Sequence, residues 1–226
     1  MVMFLNKYYL SASILDVKPI ELHSRIMEIS EYLDYIHIDV MDGIFVPNRT
    51  NGIDMFKNAK RFETKPLDVH LMVDEPIRVI SNFDGAEIIT FHIETVINDK
   101  TMTIDTEKFN ELVREIRKLG AKVGVALKPN TTESLLRMIM PKIDLVLIMT
   151  VEPGYGGQKL IMHTINKVEN VRKMGFRGFL EVDGGITEEN SKLLRDAGAN
   201  VIVTGTALFN SNDIWETCKI IKGMKD

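Results

Sequence analysis

Eight short apolar, β-branched runs, amphipathic stretches of helical spacing between them, and no glycine fingerprint after the first run predict a closed α/β barrel for this chain of 226 residues. Strand–helix–strand crossovers return each strand in the same direction, so the pattern implies parallel pairing. An open doubly wound sheet commonly carries G-x-G-x-x-G after its first strand. Here that strand ends in Ser13-Ile14-Leu15-Asp16. No linker or low-complexity segment interrupts the alternation, and barrels of roughly 200–250 residues run as one unit. Residues 1–226 therefore read as a single (β/α)8 TIM barrel domain.

The strands are expected at residues 8–15, 35–43, 65–73, 87–95, 122–129, 143–150, 178–185 and 201–209. After the first, Ile20, Leu22, Ile26, Met27 and Ile29 recur with helical spacing. After the fourth, Phe109, Leu112, Val113, Ile116 and Leu119 mark a helix that Gly120 ends. After the seventh, Thr187-Glu188-Glu189-Asn190 starts another, with a capping residue and early acids that suit the helix dipole. Pro76 and Pro141 fall near breaks in the pattern.

Composition narrows the function classes. Apolar residues make up 45% and charged residues 27%, as in ordinary globular proteins. The net charge is −4 with the two signs mixed, which argues against a nucleic-acid surface. A phosphate site would then have to be local, built from backbone amides and helix ends. Cys218 is the single cysteine; no intrachain disulfide is possible, and it reads as a packing thiol. Asn6 and Lys7 break the apolar start, which lacks a basic leader segment. No apolar run approaches the ~20 residues of a membrane helix. A cytoplasmic protein without membrane or nucleic-acid partners is expected.

Barrels of this kind place their chemistry at the C-terminal ends of the strands. Period-two alternation sets His37, Asp39 and Met41 on one face, then Asp68, His70 and Met72, then Glu181 and Asp183. Singly, a strand His or Asp is usually a hydrogen-bonded core residue. Two imidazoles and two carboxylates at matching depths suit one divalent metal ion: zinc, iron, manganese or cobalt. Gly154-Tyr155-Gly156-Gly157-Gln158, Gly184-Gly185 and Gly205-Thr206 follow or end the last three strands. Any one pair could be a turn, but three sets at adjacent strand ends favour an anion nest. Met41, Met72 and Met149 end strands two, three and six, either as core filler or as a water-poor cover over a reactive carbanion.

The segments His37-Ile-Asp39-Val-Met41-Asp42-Gly43, Phe45-Val-Pro47-Asn48, Leu67-Asp68-Val-His70-Leu-Met72-Val73, Met149-Thr-Val-Glu-Pro-Gly154-Tyr-Gly-Gly-Gln158 and Glu181-Val-Asp183-Gly-Gly185 together resemble the ribulose-phosphate 3-epimerase family. The resemblance runs from Ser13 to Phe209. It implies a barrel of the ribulose-phosphate-binding type that interconverts D-ribulose 5-phosphate and D-xylulose 5-phosphate. It further implies one divalent metal on His37, Asp39, His70 and Asp183, with Asp39 and Asp183 as the acid/bases on opposite faces of the ketose phosphate. Ser13, His70, Met41, Met72 and Met149 would meet the substrate. Gly154, Gly156, Gly157, Gly184, Gly185, Gly205 and Thr206 would hold its phosphate end, and the family's habit implies a homo-oligomer.

Four positions depart from the family's pattern. Ala12 replaces a proline, Asp16-Val17-Lys18 replaces Ser-Ala-Asp, Asn51-Gly52-Ile53 replaces Ile-Gly-Pro, and Thr206 replaces a serine. A sister group acting on D-allulose 6-phosphate shares the metal and acid/base pattern and lacks that Ile-Gly-Pro, and His92-Ile93-Glu94-Thr95 is compatible with it. Gly184-Gly185 is the pentulose-like form. A related decarboxylase or synthase would need Asp-x-Lys-x-x-Asp, where this chain has Asp68-Val-His70-Leu-Met72-Val73. A Schiff-base aldolase would use a strand-end lysine, for which Lys128 beside Pro129 is the best candidate, though it reads rather as a loop-edge residue. A non-catalytic sugar-phosphate sensor would have no need of paired proton carriers.

Overall fold

The computed structural model describes residues 8–62, 64–98 and 101–225. Eight parallel strands close into a barrel: β1 (Tyr9–Ser13), β2 (Tyr35–Met41), β3 (Leu67–Met72), β4 (Ile88–His92), β5 (Lys122–Leu127), β6 (Leu145–Met149), β7 (Phe179–Asp183) and β8 (Val201–Thr204). Each pairs with the next in sequence, and β8 closes on β1 through Tyr9↔Val201 to Ala12↔Thr204. The strands read as near-continuous apolar runs because both faces are covered. Leu10, Ile36, Ile38, Val69, Leu71, Ile89, Phe91 and Val146 pack outward in the main core. Tyr35, Ile88, Leu145 and Leu147 plug the interior below the site, with Tyr9 edge-on to Phe179.

The helices follow from capping and burial. In α1 (Leu22–Glu28), Leu22 and Ile26 face the core, and Ile29 follows them inward. Ile20 and Met27, part of the same sequence pattern, are exposed. Helix α2 (Gly52–Lys60) lies so close to β2 that a Cβ on Gly52 would sit 2.8 Å from Val40 Cγ2. The Asn51-Gly52-Ile53 departure is thus the start of a helix. Helix α3 (Thr106–Lys118) begins at Asp105, whose carboxylate accepts from the Glu107 and Lys108 amides, and it ends before Gly120 at φ +76°. A two-residue hairpin, Ile97–Asn98 with Thr103–Ile104, precedes it.

The chain continues through α4 (Thr164–Lys173), α5 (Glu188–Asp196), α6 (Thr206–Phe209) and α7 (Ile214–Ile221). Asn190 Oδ1 accepts the Thr187 amide at 2.9 Å, in the predicted capping position. Cys218 is wholly buried and its thiol is pushed up to about 12 by burial, as a packing residue should be.

Two crossovers depart from the α-helical expectation. After β3 the chain makes 3-10 turns at Pro76–Arg78 and Ile80–Phe83, and after β5 at Glu133–Met138 and Met140–Lys142. Pro76 and Pro141 lack the amide that a continuing α-helix needs. Two strand ends differ as well. The run at 87–95 leaves β4 at His92 and continues as the 3-10 turn Ile93–Val96. The run at 201–209 leaves β8 at Thr204, so Gly205-Thr206 begins α6 instead of lying on the strand. Short apolar runs do not distinguish strand from helix by period alone. Among the described residues no helix is long and apolar enough to cross a membrane.

Candidate active site

Sheet register assembles the site. Ser13 pairs with His37, His37 with Asp68, Asp39 with His70, and Met149 with Asp183. Inward alternation then brings His37, Asp39, His70 and Asp183 to one point, their ligand atoms all within 4.8 Å of one another. His37 Nε2 lies 3.5 Å from Asp39 Oδ1 and 3.9 Å from Asp183 Oδ2. His70 Nδ1 lies 3.2 Å and 3.7 Å from the same two oxygens. A tetrahedral ion with bonds of about 2.1 Å separates its ligand atoms by roughly 3.4 Å. The donor set therefore fits a four-coordinate divalent ion.

The electrostatics agree with that fit. His37 Nδ1–H donates to Asp68 Oδ2 at 2.7 Å, which leaves Nε2 wholly buried without a hydrogen-bond partner and aimed at two carboxylates. Burial disfavours charge on this ring, yet Asp68 and Asp39 carry its pKa well above the usual value. The point between the carboxylates calls for positive charge. Burial also opposes ionisation of Asp39, but His37 and His70 hold it well below the ordinary carboxylate range. Asp183 goes the other way: burial, and then the charge of Asp39, push it up to about 7. Two neighbouring acids thus ionise in different ranges.

Each group is held from behind. Ser13 Oγ–H donates to Asp39 Oδ2 at 2.8 Å, leaving Oδ1 to the imidazoles. The Asp183 carbonyl accepts from the Thr150 amide at 2.7 Å. Asp68 also accepts from Ser11 Oγ at 2.9 Å. His70 Nε2 lies 2.9 Å from His92 Nε2, and His92 Nδ1 lies 3.1 Å from Glu94 Oε2. Burial lowers the pKa of His70, and takes that of His92 down to about 4. Glu181, beside Asp68, is raised well above the usual range by burial and then by Asp68's charge.

Above this floor opens a cavity of about 340 Å³. Ser13, Asp39 and Asp183 line it, with Met41, Met72 and Met149 as apolar walls. Gly154, Gly156, Gly157, Gly184, Gly185, Gly205 and Thr206 line its other end. All the residues singled out in the sequence are thus brought together. His37 and His70 have no exposed surface and lie below the floor. His70, expected to meet the substrate, therefore does not line the cavity: its side chain is enclosed by Asp39 and His92. Gly185, at φ +65°, passes so close to the β6 loop that a Cβ would fall 2.5 Å from the Leu160 amide nitrogen. That loop is tied by Gln158 Nε2, which donates to the carbonyls of Glu152 and Tyr155.

Sequence reasoning did not assign five residues that the geometry brings in. Asp68 and Glu181 share the inward face with the ligands but lie one layer deeper. Glu94 and His92 back His70 from β4. Asp16 accepts from Thr206 Oγ1 at 2.9 Å at the glycine-lined end. Its substitution in the Ser-Ala-Asp pattern was the available signal. Lys128 is not among the cavity-lining residues; its Nζ sits 3.8 Å from the Phe45 ring centroid, away from the paired carboxylates on the floor.

Comparison with known proteins agrees with this geometry. Residues 9–209 match the model of the ribulose-phosphate 3-epimerase family. The chain is 41% identical over 198 residues to the chloroplastic ribulose-5-phosphate 3-epimerase of Arabidopsis thaliana, covering 85% of this chain and 68% of that one. It is 39% identical to the ribulose-phosphate 3-epimerase of Bacillus subtilis, covering 85% and 87%. Among solved structures, 3-hexulose-6-phosphate synthase from Salmonella typhimurium superposes with a TM-score of 0.70 at 15% identity, covering 95% and 97% of the two chains, and so shares the barrel fold. The chain belongs to the ribulose-phosphate 3-epimerase family, and it is an isomerase.

Proposed function

We propose that this protein interconverts D-ribulose 5-phosphate and D-xylulose 5-phosphate by a 1,1-proton transfer at C3, with Asp39 and Asp183 as the paired acid and base. The observation that carries this reading is the pair itself: two carboxylates on the cavity floor, one held ionised and the other raised to about 7. Environments that push two acids apart in this way are the mark of an acid/base pair. The five-carbon substrate is supported by the curated relatives, which are ribulose-phosphate 3-epimerases.

His37, Asp39, His70 and Asp183 would hold one divalent ion, which when bound supplies Lewis-acid polarisation of the C2 carbonyl. Each carboxylate would turn one oxygen to the ion and keep the other for a proton. Asp39, ionised, takes the C3 proton from one face of the sugar. Asp183, carrying a proton, delivers it to the opposite face, and the reverse reaction exchanges the roles. Inversion needs two groups because one carboxylate cannot reach both faces. Ser13 orients Asp39 through its 2.8 Å hydrogen bond. Met41, Met72 and Met149 exclude water from the carbanionic intermediate. The glycine-lined end holds the phosphate through backbone amides, so that remote binding places C3 over the carboxylates.

The test is turnover of metal-reconstituted protein on ribulose 5-phosphate and allulose 6-phosphate side by side, in deuterated water. Deuterium at C3 with preference for the pentulose supports the reading. Preference for the hexulose overturns the substrate, and absence of exchange on both overturns the chemistry.

A further inference from the structure

Both imidazoles at the candidate metal centre are backed by a carboxylate, but by different routes. His37 meets Asp68 directly at 2.7 Å. His70 reaches its carboxylate through a second ring: His70 Nε2 is 2.9 Å from His92 Nε2, and His92 Nδ1 is 3.1 Å from Glu94 Oε2. Both rings are wholly buried. A contact between two imidazole nitrogens holds a single proton, and a neutral imidazole has only one to give.

Glu94 decides the direction of that chain. An ionised carboxylate only accepts, and Glu94 Oε1 already accepts from the Lys128 amide at 2.9 Å and from Thr131 Oγ1. With Glu94 as the acceptor, His92 Nδ1 is the donor to it. His92 Nε2 is left with a lone pair, so His70 Nε2 must donate to it. His70 Nδ1 is then bare, and it points at Asp39 Oδ1 and Asp183 Oδ2. The opposite order would leave His92 Nδ1 bare against Glu94 Oε2 at 3.1 Å and put the His70 proton on Nδ1, 3.2 Å from Asp39 Oδ1. The two carboxylates thus pull the chain in opposite directions, and only the first order presents a His70 lone pair to a cation.

The relay is also mechanically fixed. Lys167 Nζ donates to the carbonyls of Lys128 at 2.6 Å and Pro129 at 3.0 Å, pinning the loop that feeds Glu94. The Phe45 ring lies 4.7 Å from His92 on one side and beneath Lys128 Nζ on the other.

We propose that His92 and Glu94 are positioning residues that select the Nδ1-ligating tautomer of His70, so that the lone pair is presented before an ion arrives. This rests on reading His37, Asp39, His70 and Asp183 as a metal centre. Carboxylate–histidine–metal relays tune ligand basicity in just this manner, and their loss typically costs about 10–100-fold in metal affinity. Here the relay is one ring longer, and its carboxylate stands on a 3-10 turn beyond β4.

Nitrogen-15 NMR of the imidazoles in the metal-free full chain reads the tautomer directly, with His70→Asn assigning the signals. The expected result is a proton on Nε2 of His70 and on Nδ1 of His92. Glu94→Gln replaces an obligate acceptor by an amide that can also donate. It should mix the tautomers and weaken Zn2+ binding, measured by chelator competition, about 10–100-fold. His92→Phe keeps a ring but removes the acceptor, and should weaken binding by a similar factor. A proton on Nδ1 of His70 in the metal-free wild type overturns the relay, and so does wild-type affinity in folded Glu94→Gln. If His92→Phe does not fold, those two measurements decide the question. Wild-type Zn2+ affinity in His70→Asn would instead overturn the metal centre itself.

Discussion

His37 donates its Nδ1–H to Asp68 at 2.7 Å, and that one contact settles which nitrogen of the ring faces the active-site carboxylates. Asp68→Asn supplies an amide that can donate in its place and lets the tautomer reverse. Zn2+ affinity should fall about 10–100-fold by chelator competition. Glu181, which meets Asp68 from the opposite side of the barrel, has its pKa raised well above the usual carboxylate value by burial and then by the charge of Asp68. Glu181→Gln should therefore leave metal affinity and turnover within about threefold of wild type, since burial and Asp68 already disfavour the charged form that the amide removes.

The two active-site acids should separate in isotope experiments. Asn at either position removes a proton carrier, and positioned acid–base groups contribute about 10²–10⁴-fold. Asp39→Asn and Asp183→Asn should each lose at least that much epimerisation. Provided metal is retained, each variant should still wash solvent deuterium into C3 of one epimer only, the one whose hydrogen faces the remaining carboxylate. Exchange into both epimers by a single variant would contradict a two-base mechanism.

Metal binding should depend on pH through Asp183. In the metal-free chain its pKa is raised from 3.8 to about 7, so below about 7 a cation competes with a proton for the ligating oxygen, leaving the other oxygen to take up the proton used in turnover. Above about 7 the ligating oxygen is free. His37, raised by Asp68 and Asp39 against burial, must also give up a proton. Zn2+ affinity should rise with pH, about tenfold per unit for each proton displaced. Calorimetry in buffers of different ionisation enthalpy counts those protons. For stability the sign is opposite. The raised Asp183 pKa favours the folded metal-free chain fully below 3.8, and that contribution is lost as pH rises through about 7. Thermal melts should therefore show the stabilisation by metal growing across that window.

Asp16 should weaken anion binding. Its carboxylate accepts from Thr206 at the glycine-lined end, and no Lys, Arg or His is among the described residues lining the cavity. A phosphate dianion held there by amides alone meets a like charge. Asp16→Ser should tighten inhibition by inorganic phosphate by roughly fivefold, on the order of 1 kcal/mol for an exposed pair. Weaker inhibition would mean that Asp16 matters as the acceptor that orients Thr206.

Much of this site could be read in the sequence because polar residues are conspicuous in strands otherwise built of Val, Ile and Leu. His37 with Asp39, Asp68 with His70, and Glu181 with Asp183 each stand two apart in such a run. Depth could not be read. Period two puts Asp68 and Asp39 on equivalent faces, and only the stagger between strands, with His37 beside Asp68 and Asp39 beside His70, makes one a support and the other a ligand. The His92–Glu94 relay crosses from β4 into a 3-10 turn, where alternation stops. The end of β8 was hidden for a similar reason: Ala207-Leu208-Phe209 is apolar enough to extend a strand but turns into a helix. Pro76 and Pro141, by contrast, marked the two crossovers that fail to form α-helices.

Because Asp39 and His70 are direct cross-strand partners, their approach is dictated by main-chain hydrogen bonding between β2 and β3. A slip of one residue would turn one of them outward among the helices. Zn2+ capture during refolding thus reports the moment these strands lock into alignment. A kinetic species with the right strand content but shifted pairing would be invisible to the ion.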